Sequence, residues 1–258
     1  MALTPSQLER YSRQIILPTV GGRGQEALLN STVALVGCGG LGSAVALALA
    51  GAGVGRLVLI DDDRVELSNL HRQLAFVEAD LGAPKAEALA GAVRARADTE
   101  LLVRQARIDR SNFSSLVSEA DLVVDGSDNF ATRFAVADAC AALGLGLITG
   151  AVTGHSGQLF AQAPGGKPCY RCLFEREPEQ AASCSADGVL PGAVMTIAGM
   201  MVQWALLTLM NRQEVPYGRL LHADLARGQW RSLTVRQRPD CLCSDEKRQK
   251  LAEYGGPG

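Results

Sequence analysis

Val33-Ala34-Leu35-Val36-Gly37-Cys38-Gly39-Gly40-Leu41-Gly42 runs a short apolar strand straight into a glycine-rich turn. About twenty residues on, a second apolar strand, Leu57-Val58-Leu59-Ile60, ends in Asp61-Asp62-Asp63. Strand, Gly-x-Gly-x-x-Gly turn, helix and acidic residue is the order in which a doubly wound α/β sheet holds a nucleotide. The glycines let backbone N–H groups approach a phosphate, and the acid bonds a ribose hydroxyl. Gly37, Gly39, Gly40 and Gly42 are therefore candidate phosphate contacts, and Asp61, with Asp63 beside it, is the candidate ribose ligand. The turn alone does not separate a nicotinamide dinucleotide from ATP.

Outward from this stretch, apolar strand patterns at 32–36, 57–60, 101–107, 121–125 and 146–150 alternate with helical patterns near 42–52, 84–97, 111–119 and 130–143. That alternation implies a parallel sheet covered on both faces. Upstream, Pro5-Ser6-Gln7-Leu8-Glu9-Arg10 opens a helical arm, which Gly21-Gly22 interrupts before Gln25–Asn30. Past Gly150 the pattern changes to a strand at 157–163, a Pro/Gly/Cys turn at 164–172, a polar loop at 174–188 and a hairpin pairing 220–223 with 229–236. The expected fold is α/β: a Rossmann-like doubly wound, mainly parallel sheet with antiparallel C-terminal strands and an N-terminal helical arm. Its parts are the arm (1–30), the nucleotide-binding domain (31–243) and a polar tail (244–258), expected to be disordered.

With 258 residues and 47% hydrophobic composition, the chain can bury one large core. A net charge of −2 gives no field for nucleic acid or an anionic membrane. Val189–Met210 carries no charged side chain and is long enough to span a bilayer, but it contains Pro191, Gly192, Gly199 and Gln203. It reads as a buried or interface helix; against a second copy, Ala193, Ala198 and Gly199 would allow close approach, which points to a homodimer. No secretory leader pattern is present, and four of the seven cysteines cluster as Cys169/Cys172 and Cys241/Cys243. Both features suggest a cytoplasmic protein that uses cysteine for metal instead of disulfides.

Residues 67–85 favour ATP. Asn69, Arg72 and Gln73 are followed by Lys85. A pyrophosphate bridge is held mainly by backbone N–H groups, whereas a reacting triphosphate needs cations where its charge changes. Arg72 offers a planar fork and Lys85 a point charge. Next, Asp121-Leu122-Val123-Val124-Asp125 ends a strand, with Asp128 and Asn129 just beyond it. A carboxylate at that place can hold Mg²⁺ on phosphates, and either residue can cap the helix that follows.

In order, Arg10-Tyr11-Ser12-Arg13-Gln14-Ile15, the Gly37–Gly42 turn, Asp61-Asp62-Asp63, Ser68-Asn69-Leu70-His71-Arg72-Gln73, Pro84-Lys85, Asp125–Asn129 and Cys169-Tyr170-Arg171-Cys172-Leu173 resemble the ThiF/MoeB/HesA adenylyltransferases, bacterial relatives of ubiquitin-activating enzymes. The resemblance covers about residues 8–243. It implies ATP with its phosphates near the Gly37–Gly42 turn and its ribose on Asp61. Asn69, Arg72, Gln73 and Lys85 would line the phosphate site, with Asn129 nearby and Asp128 on Mg²⁺. Arg13 would reach into the site of a second subunit. The co-substrate would be a ubiquitin-fold sulfur carrier ending in Gly-Gly, ThiS-like or MoaD-like. Its carboxylate becomes an acyl-adenylate in thiamine or molybdopterin synthesis, and a separate protein donates the sulfur.

Cys169-x-x-Cys172 and Cys241-x-Cys243 together read as a structural four-cysteine zinc site that pins the tail to the sheet; the second pair is one residue short of the family's usual Cys-x-x-Cys, so Asp240 or Asp245 is an alternative fourth ligand. Cys184, in the 174–188 loop, resembles the cysteine that joins the carrier covalently during sulfur transfer in the ThiF-like branch. Two alternatives stand beside this reading: an NAD-dependent oxidoreductase, which leaves Arg13, Asn69, Arg72, Lys85 and Asp128 without a shared purpose, and a non-catalytic subunit that binds a ubiquitin-like tail.

Overall fold

The computed structural model describes residues 3–109, 111–176, 188–211, 214–241 and 243–244. Three short helices form the arm: α1 (Pro5–Arg10), α2 (Ser12–Ile15) and α3 (Gly21–Leu29). Thr4 starts it with a capping box, its side chain accepting from the Gln7 amide while Gln7 accepts from the Thr4 amide. Gly21-Gly22 begins α3 and does not interrupt it; the break between helices falls over residues 16–20.

The alternating part follows as β1 (Thr32–Val36), α4 (Gly40–Gly51), β2 (Arg56–Ile60), α5 (Lys85–Arg94), β3 (Glu100–Arg104), α6 (Phe113–Val117), β4 (Leu122–Asp125), α7 (Phe130–Leu143) and β5 (Gly146–Thr153). The remaining described elements are β6 (Ser156–Gln162), α8 (Tyr170–Leu173), α9 (Pro191–Leu209), β7 (Arg219–Asp224) and β8 (Gln229–Thr234). All eight described strands join one sheet, in the order β3-β2-β1-β4-β5-β6-β7-β8. Pairing is parallel from β3 to β5 and antiparallel from β5 to β8. The expected architecture holds, with two adjustments. β3 stops at Arg104 and does not run to 107, and β5 runs on to Thr153 because it pairs with β6 as far as Ser156.

Every residue of β1 and β4 is buried, as their unbroken apolar runs demand when helices cover both faces. Val33, Leu35, Leu57, Leu59 and Val124 pack under α4, α5 and α9. Ala34, Val36, Val58 and Val123 pack on the other face with α6, α7 and Tyr170. The charge-free run becomes α9, which lies against α4, β5 and β6. It is long and apolar enough to cross a membrane, but 50% of that window is buried inside the protein. Ala193 and Ala198 are buried against the protein's own core, so of the small residues expected at an interface only Gly199 faces outward.

Candidate nucleotide site and cysteine cluster

The strand order reverses between β1 and β4, and a crevice at such a switch point is where open α/β sheets bind ligands. There a cavity of about 640 Å³ opens at the carboxyl ends of the strands. Gly37, Gly39 and Gly40 line it, together with the N-terminus of α4. Gly42 does not line it; a Cβ at Gly42 would stand 1.7 Å from the Gly37 carbonyl oxygen, so its absence of side chain lets helix and turn close up. In this structure the close approach to Gly37 makes Gly42 a packing residue of the turn.

Asp61 accepts from the Cys38 amide at 2.6 Å with one oxygen and from the Asp63 amide at 2.8 Å with the other. The carboxylate thus clasps the end of β2 to the glycine turn, and burial holds its pKa above the ordinary carboxylate value. Each oxygen keeps a lone pair for a further donor from the cavity. Beyond it the backbone turns through Leu67–Asn69. Asn69 is buried; its amide donates to Glu66 at 3.2 Å, while its oxygen accepts from Arg72 at 3.0 Å and from Gln73 at 3.2 Å. Arg72 also donates to the Ser68 carbonyl at 3.1 Å, which fixes its guanidinium at the cavity wall. Lys85, the first residue of α5, is buried with its ammonium 2.8 Å from Asp63, so Asp63 faces the cavity as a lysine counterion.

At the β4 end the sequence left two helix caps open. Asn129 is the cap: its side-chain oxygen accepts from the Thr132 amide at 2.8 Å. Asp128 is exposed, lines the cavity and has no side-chain hydrogen bond or ion pair among the described residues. The turn that carries it is braced from below. Buried Asp125 accepts from the Ser127 amide at 2.9 Å and from the Thr149 hydroxyl at 3.0 Å, and burial raises its pKa. Arg133 donates to the Ser127 carbonyl at 2.7 Å while lying over the Phe130 ring. Sequence reasoning missed Thr149, Arg133 and the cavity-lining Arg107. Arg107 sits just past the carboxyl end of β3, a position the strand-end rule could have flagged.

Arg13 does not line this cavity; it is exposed on α2, without a hydrogen bond or ion pair among the described residues. Cys38 and Cys140 are buried in the core. Cys184, Asp245 and the tail from 245 onward lie outside the described residues.

Outside the cavity lining, Cys169, Cys172, Cys241 and Cys243 meet, with all four sulfurs within 4.8 Å of one another. The Sγ–Sγ distances are 3.4 Å for Cys169–Cys241, 3.5 Å for Cys172–Cys243 and 4.0 Å for Cys169–Cys172. Four sulfurs about 2.3 Å from a tetrahedral zinc would be about 3.8 Å apart, so the cluster fits such an ion. Within the cluster, hydrogen bonding from Cys169 lowers the Cys243 thiol pKa, while the neighbouring sulfurs and burial raise those of Cys169 and Cys172. The shortened Cys-x-Cys pair still brings both sulfurs in; Asp240 instead ion-pairs with Arg238 at 2.9 Å.

The ThiF family pattern matches residues 11–244, from the arm through the cavity to the cysteine cluster. The chain belongs to the ThiF family. Among its ThiF-family relatives, the SAMP-activating enzyme E1 of Haloferax volcanii is 42% identical over 249 residues, covering 95% of this chain and 92% of that protein. The sulfur carrier protein adenylyltransferase of Thermus thermophilus is 41% identical, covering 98% and 97%. The sulfur carrier protein ThiS adenylyltransferase of Escherichia coli is 41% identical, covering 90% and 93%. Among solved structures, E. coli MccB with ATP superposes with a TM-score of 0.79 at 23% identity, covering 90% of this chain and 73% of that one. That likeness is one of fold.

Proposed function

We propose that this protein is an ATP-dependent adenylyltransferase that activates the C-terminal Gly-Gly carboxylate of a ubiquitin-fold sulfur carrier as an acyl-adenylate. The observation that carries the reading is a single cavity gathering the glycine turn, Asp61, Asn69, Arg72, Lys85 and Asp128. The adenylyltransferase relatives support it, and membership of their family displaces the oxidoreductase alternative. Relatives that act on differently named carriers leave both ThiS-like and MoaD-like proteins as substrates to test, and thiamine or molybdopterin synthesis as the pathway.

ATP enters with its ribose on Asp61 and its phosphates at the N-terminus of α4, where backbone N–H groups and the helix dipole favour anions. The carrier carboxylate attacks the α-phosphorus; an O–P bond forms, the α–β bridging P–O bond breaks, and pyrophosphate leaves with the electron pair. Arg72, already fixed by Asn69 and Ser68, presents its fork to phosphate oxygens. Lys85 keeps Asp63 as counterion and offers its other N–H donors. Asp128 is the carboxylate for Mg²⁺, which when bound neutralises phosphate charge. The apolar wall of Val152, Val189 and Val194 suits a tail without side chains. No protein nucleophile is needed, and rate comes from positioning and charge neutralisation.

Arg13 completes the site from a second copy in a homodimer. Zinc in the four-cysteine cluster is structural, and the enzyme works in the cytoplasm with a separate sulfur donor. ATP–pyrophosphate exchange tests the reading, using ThiS-like and MoaD-like carriers with and without their terminal Gly-Gly. Exchange that requires the tail is expected; nucleotide binding without exchange for any carrier would leave the non-catalytic binding subunit instead.

A further inference from the structure

The arm is fastened at the wrong end of α4 for Arg13 to serve its own cavity. Tyr11 is buried, and a Cβ at Gly53 would lie 2.7 Å from its ring, so the ring rests on the Gly53 backbone just after α4. Gly53 has a φ of +91°, which allows the chain to turn under the ring. Gln14 donates to Gln25 at 2.8 Å and to the Ala52 carbonyl at 3.0 Å. Gln25, wholly buried on α3, donates to the same carbonyl at 3.0 Å. Ala52 caps the C-terminus of α4, whose N-terminus faces the cavity. The 12 residues of α4 separate the two ends by about 18 Å, more than an arginine side chain reaches.

We infer that Tyr11, Gln14 and Gln25 are positioning residues that clamp α2 to the end of α4, holding Arg13 away from its own cavity and rigid for delivery to nucleotide phosphates bound by a second copy. The inference rests on the adenylation reading above. Its physical content is preorganisation: Arg13 lies between Tyr11 and Gln14, so its backbone is fixed on both sides while its side chain stays exposed. A guanidinium held this way loses less freedom on meeting a phosphate than one on a loose terminus.

Carrier-dependent ATP–pyrophosphate exchange by wild type, Gln14→Leu, Arg13→Ala and the double variant tests the clamp. Gln14→Leu removes both hydrogen bonds of the Gln14 side chain but leaves Gln25 on Ala52 and Arg10 on the Arg96 carbonyl. It should lower kcat about tenfold or more while KM for ATP changes less than about threefold, with the thermal midpoint down by only a few degrees because the buried Gln25 oxygen loses its donor. The double variant should be no slower than Arg13→Ala, because Gln14 acts only through Arg13. Full activity in Gln14→Leu, or a double variant slower than Arg13→Ala by the full Gln14→Leu factor, overturns the clamp. Unimpaired Arg13→Ala overturns it too, by removing the cross-subunit role, whereas absence of exchange in wild type strikes the adenylation reading itself. Hydrogen exchange of wild-type amides 12–16 needs no carrier: slow exchange is expected, and exchange at free-peptide rates would overturn the clamp.

Discussion

Asp128 and Asp125 lie on one turn, and their environments assign them opposite work. Asp128 is exposed and unpaired among the described residues, so Asp128→Ala should lower adenylation by at least about 100-fold in kcat while leaving the thermal midpoint unchanged. Pyrophosphate exchange and a melting curve check both halves. Asp125 is buried, and its folded-state pKa is raised by loss of hydration, against the opposing charge of Arg133. The folded state therefore holds the Asp125 proton more tightly than the unfolded chain does. Its stabilising contribution is complete below the unfolded value near 3.8 and is lost as pH rises through the higher folded value. Asn at 125 can still accept from the Ser127 amide and donate to Thr149. Urea unfolding of Asp125→Asn across mildly acidic pH should accordingly show a shallower fall in stability with rising pH than wild type.

Among the elements, the junction of β1 and α4 tolerates least. Gly42→Ala would drive a methyl group against the Gly37 carbonyl, which neither turn nor helix can yield without opening the site. A cost of at least about 3 kcal/mol is expected, read as a lower urea midpoint together with weakened ATP binding. This junction was legible in the sequence, because a glycine turn between an apolar strand and a helix has few other uses. The limits of α7 were equally legible, set by Asn129 at one end and Gly144 at the other. What the sequence concealed were groups joined through space. Nothing in the spacing of Asp61 foretells its grip on Cys38, and nothing near Arg133 foretells its hold on Ser127. The short Cys241-x-Cys243 spacing leaves the fourth ligand open between a cysteine and Asp240 or Asp245. Both Cys241 and Cys243 nevertheless bring their sulfurs to the cluster.

At the scale of the molecule, the cysteine cluster ties the chain after β8 to α8 and its N-cap, closing a span that includes α9 and the whole β7–β8 hairpin. If the cluster holds zinc as proposed, its chelation should lower the thermal midpoint by roughly 10 °C, and Cys243→Ser should reproduce the loss, with ATP affinity nearly unchanged because none of the four cysteines lines the cavity. The cross-subunit role of Arg13 makes a separate demand. Mixing Arg13→Ala with Arg72→Ala chains should restore part of the exchange activity, since a hybrid pair contains one complete site; proven subunit exchange without recovery would count against that role.

The outward placement of Arg13 also ties catalysis to mass action. If Arg13 serves a second copy as proposed, a chain that lends its arginine and borrows another cannot be active in isolation, however well folded. Activity per molecule then follows the fraction of chains paired and falls away on dilution below the dissociation constant of the pair. A cell that changes the abundance of this protein would change its output more than proportionately.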